Sequence, residues 1–332
     1  MSQTMIYDKV QYGSESSTYG TEAGTYAELG RVQDISFNSD NGNIYDRGLG
    51  EGINAVKTYY GPFTSTGDVS FDVVDFDFLK HWVGAKSGAG SSGDHYELTE
   101  ATYVALTGAT SLVPFSIEKL NAEEATDSCE FATGCVGTTF TLSGELNSKL
   151  SCTANFVAQK TSFRTSGEAY TPITDPAFIM LNGTWKWGAT PSTLSGVRSF
   201  SINYDNGLIT ETRSIESRFI NIPKLGQRVY TFEVSIIMTS GLASTIINDF
   251  YGYSSGGVYS PEDGSNSISP TNSLEFKIEL VNGSNYAYLQ LDECAIDNIS
   301  KPSSLGGGLV LLNFNGTARK GLGNVPIEWW ST

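Results

Sequence analysis

One stretch of this sequence occurs twice, and that repetition limits the fold more than any other feature. Val32-Gln-Asp-Ile-Ser-Phe-Asn-Ser-Asp-Asn-Gly42 returns 165 positions later as Val197-Arg-Ser-Phe-Ser-Ile-Asn-Tyr-Asp-Asn-Gly207. Val32, Ser36, Asn38, Asp40, Asn41 and Gly42 recur as Val197, Ser201, Asn203, Asp205, Asn206 and Gly207, while Ile35 and Phe37 become Phe200 and Ile202. Weaker markers follow in the same order. Residues 69–73 resemble 230–234, with Phe71 opposite Phe232; 81–84 match 249–252; Cys135 lies near the position of Cys294; 154–160 fall opposite 314–320. Such a chain reads as a tandem duplication of about 150 residues per copy, each of domain size. Its 332 residues are then two domains of one kind rather than one large core.

Each copy has the same expected anatomy. An alternating strand comes first, at 32–38 in the first copy, with apolar side chains at period two. The turns Asp40-Asn41-Gly42 and Asp205-Asn206-Gly207 follow, because Asn and Gly accept positive φ. A long segment, 43–66 or 208–227, reads as an extended hairpin arm carrying both charge signs. It holds Arg47, Glu51, Lys57 and Tyr60 in the first copy, and Glu211, Arg213, Glu216, Arg218 and Lys224 in the second. A second alternating strand then leads to a short amphipathic α-helix. The helix lies at 75–83, with Phe78, Leu79 and Trp82 inward, and at 242–251, with Ile246, Ile247 and Phe250 inward. Gly/Ser loops and three or four further strands, one at 274–280, complete the copy. The expected fold is therefore mainly β. Residues 1–30 form an N-terminal arm, 31–166 a first β-sandwich or β-barrel repeat, 167–176 a Pro-containing linker and 177–332 a second repeat.

Charge and motif content exclude most chemistry. Asp plus Glu number 36 against 20 Lys plus Arg, a net charge of −16, which repels phosphates over any broad surface. No secretory signal opens the sequence and no apolar run reaches about 18 residues, so no membrane partner is expected. Cys129, Cys135, Cys152 and Cys294 contain no CxxC pair and read as reduced, mostly buried thiols rather than metal ligands. Nucleophilic catalysis would need His81 or His95. His95 sits in a Gly/Ser loop, and the repeat puts Asp249 where His81 stands, which favours a packing role.

Asp75 and Asp77 read as first-turn helix charges. Asp40 to Asp46 resembles a calcium loop, but Leu208 replaces Asn43 in the second copy, so the turn persists without the ligand. Gly48-Leu-Gly-Glu-Gly52 precedes no helix and is no phosphate loop. Trp185, Trp187, Trp329 and Trp330 suit a sugar groove or, more commonly, burial. No catalytic residue, metal or cofactor is expected.

The first copy also carries a resemblance. Glu28-Leu-Gly-Arg-Val-Gln-Asp-Ile-Ser-Phe-Asn, Asp46-Arg-Gly-Leu-Gly-Glu-Gly52, Tyr60-Gly-Pro-Phe and Phe76-Asp-Phe-Leu-Lys-His-Trp-Val-Gly84 together resemble tail tube proteins of tailed viruses. Thr18-Tyr-Gly-Thr-Glu-Ala23 resembles their N-terminal arms. The resemblance is best over residues 18–84 and reaches the rest through the repeat. It implies a β-sandwich with a flanking helix and a long loop, six of which form a ring whose inner strands join into one barrel. It implies stacking of rings into a tube through which DNA leaves the capsid without specific binding. With two copies per chain, three chains would make a pseudo-hexameric ring, with the two arms contacting the next ring.

Its implied partners are further copies of itself and tail terminator, distal tail, tape measure or sheath proteins. Its implied place is the virion tail, assembled in host cytoplasm. Two alternatives stay open: another tail component of the same fold, such as a distal tail or tail-completion ring, and a two-module carbohydrate-binding or adhesin protein.

Overall fold

The computed structural model describes residues 8–46, 57–84, 103–106, 111–121, 129–169, 172–188, 191–238, 245–247, 249–250, 274–282, 285–300, 310–319 and 327–331. The first half contains β1 (Asp8–Ser14), β2 (Ala27–Glu28), β3 (Arg31–Asp40), β4 (Ile44–Asp46), β5 (Lys57–Tyr59), β6 (Thr64–Asp72), β7 (Tyr103–Val104), β8 (Ser111–Leu112), β9 (Phe115–Asn121), β10 (Cys129–Glu145), β11 (Ser151–Ala158) and β12 (Lys160–Arg164). The second contains β13 (Gly183–Gly188), β14 (Ser192–Thr193), β15 (Val197–Asp205), β16 (Val229–Ile237), β17 (Leu274–Asn282), β18 (Asn285–Ser300), β19 (Leu311–Ala318) and β20 (Ile327–Ser331). The protein is mainly β, built on large antiparallel sheets, and the described strands close no barrel within the chain.

Eight strands of the first half, β1–β3, β6 and β9–β12, have counterparts in β13–β20. β3 pairs with β6 through Ile35↔Val69 and Phe37↔Gly67, with a bulge between Val32 and Asp34. β15 pairs with β16 through Phe200↔Val234 and Ile202↔Phe232, with a bulge between Val197 and Ser199. Both ladders obey the 165-residue displacement, bulge included. Phe71 therefore corresponds to Ile236, because their partners Val32 and Val197 correspond; it does not correspond to Phe232. The sequence match of Phe71 with Phe232 is off by four residues. With a side-chain period of two, a slip of four keeps every apolar residue on the core face, so pattern alone does not detect it.

The long strands β10 and β18 give each half two layers. The N-terminal part of β10 pairs with β9 and β12, and its C-terminal part with β11. β18 repeats this with β17 and β20, then β19. Each long strand crosses between layers at a matching bulge, between Gly137 and Thr139 or between Ile296 and Asn298. Cys135 and Cys294 occupy equivalent places just before it. Aromatic rings fill the space between layers: Phe115 meets Phe156 at 5.6 Å, and Trp187 meets Phe232 at 5.7 Å and Phe314 at 5.4 Å. All four cysteines are free thiols buried in this interior, and burial raises the thiol pKa of each.

Residues 8–14, expected in an N-terminal arm, are β1, paired along its whole length with β9. The expected linker lies against the first half: Glu168 N–H donates to Glu118, and the Asp175 carbonyl accepts from Arg31. The helix expected at 75–83 is a single 3₁₀ turn, Asp77–His81, opened by a bond from Asp77 N–H to the Asp75 carboxylate at 2.9 Å. Its length is limited by Trp82, whose indole N–H is held by the Thr139 and Asn155 carbonyls at 3.1 and 2.9 Å. Phe78, Leu79 and Trp82 are buried as expected. In the second half residues 245–247 and 249–250 are helical, with Ile246 fully buried and Ile247 and Phe250 packed against the core.

Candidate functional site: a continuous polar face with two open edges

The halves meet edge to edge. The C-terminal part of β10 pairs with β15 from Thr139↔Asp205 to Glu145↔Ser199. One sheet thus runs β18-β19-β16-β15-β10-β11-β6-β3 across the whole chain. Strict alternation turns Val, Ile and Phe into the core and leaves short polar side chains on the opposite face. That face presents Ser36 and Asn38, Thr66, Asp68 and Ser70, Thr153 and Asn155, Thr141 and Ser143, Ser201 and Asn203, Thr231 and Glu233, Asn313 and Asn315.

These side chains bond sideways across strands, as in Thr141 to Asn203 at 2.8 Å, Asn155 to Thr139 at 2.8 Å and Ser70 to Thr153 at 3.2 Å. The charges within this set are acidic. A concavity of about 670 Å³ opens on it, lined by Ser143, Ser201, Glu233 and Ser235 among others. Lys149 stands at its rim, paired with Asp72 at 2.6 Å.

The sheet ends in two edges. β3 pairs with β6 on one side, and no described strand lies on its other side. The C-terminal part of β18 pairs with β19, whereas the equivalent part of β10 has both β11 and β15 as neighbours. So the chain uses one β10-type edge internally and leaves one β3-type and one β18-type edge without a described partner.

The repeated turns flank this junction differently. In both, the Gly N–H bonds the Asp side chain at 2.8 Å and the Gly adopts φ of 55°. A Cβ on Gly42 or Gly207 would meet the Pro62 or Gln227 carbonyl oxygen at 2.5 or 2.3 Å. Asn206 is nonetheless fully buried, whereas Asn41 is exposed. Asn206 donates to the Trp82 and Gly137 carbonyls, each at 2.7 Å, and accepts from the Tyr204 hydroxyl. Tyr204 also bonds the Trp82 carbonyl at 2.9 Å and lies 5.1 Å from Phe140.

The arms also differ. β4 and β5 pair Ile44 with Tyr59, and the second arm has a single bridge, Ile209 to Lys224, at the equivalent place. Arg47 and Glu51, with Gly48 to Gly52, lie outside the described residues, as does His95. Lys57 and Tyr60 are exposed. In the second arm, Glu211, Glu216 and Lys224 are exposed while the two arginines turn back onto the first half. Arg213 donates to the Phe63 carbonyl at 2.9 Å. Arg218 donates to Asn41 at 2.7 Å, stacks over Tyr60 at 4.9 Å and lies near Phe63 and Phe219.

Other candidates are structural. His81 is buried, its Nδ1 2.7 Å from the Val113 carbonyl, and burial pushes its pKa down to about 3. Asp249, its repeat partner, accepts from the Trp187 indole at 2.7 Å, and burial raises its pKa. Trp185 and Trp187 are buried in the core; the side chains of Trp329 and Trp330 lie outside those described. A buried group that pattern reading missed is Glu118, which takes Gln11, Arg164 and the Glu168 N–H. Alternation sets it with Ser116 and Leu120 on the face opposite the core residues Phe115 and Ile117, where the pattern predicts exposure, so its burial under Arg164 and Glu168 has no sequence signal.

The family model described as phage tail tube protein matches residues 9–318, spanning both halves from β1 to β19. A comparison with curated proteins finds no match.

Proposed function

The chain belongs to the phage tail tube protein family, a structural component of the virion tail, and from that premise we propose that its halves are duplicated copies of one ring unit. Three chains then supply six units. The observation that carries this reading is the β10–β15 junction, where one unit already accepts the other by strand addition. The same step between chains would bring β3 of one copy beside β18 of the next. Carrying Thr141↔Asn203 and Thr139↔Asp205 over to the equivalent positions sets Ser300 opposite Asn38 and Asn298 opposite Asp40. Closure by three such steps removes both open edges, which are otherwise an aggregation hazard.

In that ring the polar face lines the channel. A wall of Ser, Thr and Asn hydroxyls and amides, already bonded to one another, offers passing phosphates few donors. Asp68 and Glu233 repel them, so DNA slides through without specific binding during ejection. Three chains carry a formal −48, three times −16. Stacking of rings falls to the arms, through exposed Lys57, Tyr60, Glu211, Glu216 and Lys224. Tail terminator, distal tail, tape measure or sheath proteins meet the tube at its ends, lumen and outer wall. No catalytic step is assigned to any residue.

The test is a cysteine pair, Asn38→Cys with Ser300→Cys, in the full chain. Oxidation is expected to link separate chains into covalent trimers, while Thr141→Cys with Asn203→Cys links only within a chain. Compact monomers at high concentration, by mass measurement and negative-stain imaging, would overturn the ring. Tubes in those images separate a tube protein from tail parts that form a single ring.

A further inference from the structure

We infer that Asn41 fastens one chain to the next as Asn206 fastens the two halves, by donating its side-chain amide to the Ile296 and Phe250 carbonyl oxygens of a second copy. This rests on the ring reading above. It adds the residue that secures the contact and the groups that receive it.

The backbone argument comes first. The two Asp-Asn-Gly turns have the same Gly φ, the same Asp-to-Gly bond length and the same close approach to the returning strand. Asn41 and Asn206 therefore leave the backbone in the same direction relative to β3 and β15. Asn206 reaches past its own strand to the neighbouring unit, where the 3₁₀ turn ends at Trp82 and the long strand bulges at Gly137. The equivalent places on the second half are Phe250, set opposite Trp82 by the match of 81–84 with 249–252 and itself the last helical residue described, and Ile296, before the matching bulge.

An amide side chain has a donor end and an acceptor end, and a useful contact needs them turned the right way. For Asn206 the Tyr204 hydroxyl holds the acceptor end, so the NH₂ points into the neighbour. Ser39 stands where Tyr204 stands, and its side chain is too short for that bond. Arg218 supplies it instead: its Nη2 donates to Asn41 Oδ1 at 2.7 Å. Arg218 is itself fixed, over Tyr60 and beside Phe63 and Phe219, with its carbonyl bonded by Phe63 N–H at 2.8 Å. Asn41 is thus oriented by a different donor to the same effect. Its NH₂ has no partner among the described residues, and it is exposed where Asn206 is buried. A preset amide on an open sheet edge matches a pair of backbone carbonyls on a second copy.

The same exchange makes the seam between chains weaker than the seam within a chain. Tyr204 shares its hydroxyl proton with the Trp82 carbonyl and sets a ring against Phe140, and Ser39 supplies neither. Rings then open between chains.

The experiment compares assembly of the full-length chain with Asn41→Ala, Asn41→Asp and Ser39→Tyr variants by mass photometry over a concentration series, with monomer unfolding measured alongside. Asp keeps the acceptor for Arg218 but donates nothing. Expected is a rise of about tenfold or more in the concentration for half-assembly in both Asn41 variants, with monomer melting unchanged, as for loss of bonds to buried carbonyls. Ser39→Tyr is expected to shift assembly the opposite way. Wild-type rings with unaltered assembly of both Asn41 variants would overturn the fastening role and leave the ring standing. Wild-type monomers at every concentration would overturn the ring reading, and this inference with it.

Discussion

At one cross-strand position the two halves of this chain have exchanged partners. In the first, Gly67 on β6 faces Phe156 on β11; in the second, Phe232 on β16 faces Gly316 on β19. In each half the ring lies over the glycine, so that a Cβ would meet the Phe ring tip at 2.3 or 2.7 Å. The volume at that place is kept while the residue supplying it changes strand. Tyr12 and His81 likewise stack edge to face at 5.5 Å where the second half bonds Trp187 to Asp249. The halves share ladder registers and bulges, because a one-residue slip would expose a whole core face. They do not share individual core residues, because cores tolerate exchange at constant volume.

The exchange predicts the largest effect. Gly67→Phe is expected to destabilise the chain by about 4 kcal/mol or more, since two rings cannot share that space, and Phe156→Gly by about 3–5 kcal/mol through the cavity. The double variant copies the second half and should recover most of the loss; a double-mutant cycle from urea denaturation that shows simple additivity would break the comparison.

Next come the repeated asparagines. Asn206→Ala strips partners from two buried carbonyls and the Tyr204 hydroxyl and should cost about 3 kcal/mol. Asn41→Ala should leave monomer stability within about 0.5 kcal/mol. Equal losses in chemical denaturation would mean that the two turns sit in equivalent surroundings in the monomer.

Acid should separate the halves as well. His81 is held neutral by burial, with Lys80 adding to the effect, while Val113 opposes it. Between pH 6.5 and about 3 the unfolded chain binds a proton there that the folded chain refuses. Stability from this group is therefore complete above pH 6.5 and falls on acidification, by up to about 1.4 kcal/mol per pH unit. Asp249 has the opposite sign: its raised pKa makes its contribution full at low pH and lost as pH rises through the folded value. Hydrogen exchange at successive pH values should show amides around His81 losing protection on acidification before those around Asp249. The stability gap between wild type and His81→Phe should shift steadily against wild type from pH 7 to pH 4; a constant gap would contradict the assignment.

The shared turns give the last comparison. Gly42→Ala and Gly207→Ala, both at φ of 55° and each setting the new Cβ against a backbone carbonyl oxygen, should each cost at least about 1–2 kcal/mol. Their melting shifts should agree closely, which tests whether the two turns remain interchangeable.

Much of this fold is readable from local rules. Period-two alternation marks β3, β6, β15, β16 and β17, and Asp-Asn-Gly marks both turns, because strand facing and positive φ depend on neighbours one or two residues away. Phe78, Leu79, Trp82 and Ile246 are legible as core for the same reason. The 3₁₀ turn was hidden because its end depends on two carbonyls from distant strands. The Phe71 alignment was hidden because an even slip preserves the pattern.

The site divides in the same way. Alternation by itself determined that one face of these strands is Ser, Thr, Asn and acid, and composition determined that the chain repels phosphate. Only the tertiary structure decided that these faces join across β10 and β15 into one surface, and that identical Asp-Asn-Gly segments become a buried lock at Asn206 and an exposed amide at Asn41. A sequence sets which way each side chain points relative to its own backbone, but burial is set by what the rest of the chain places opposite it.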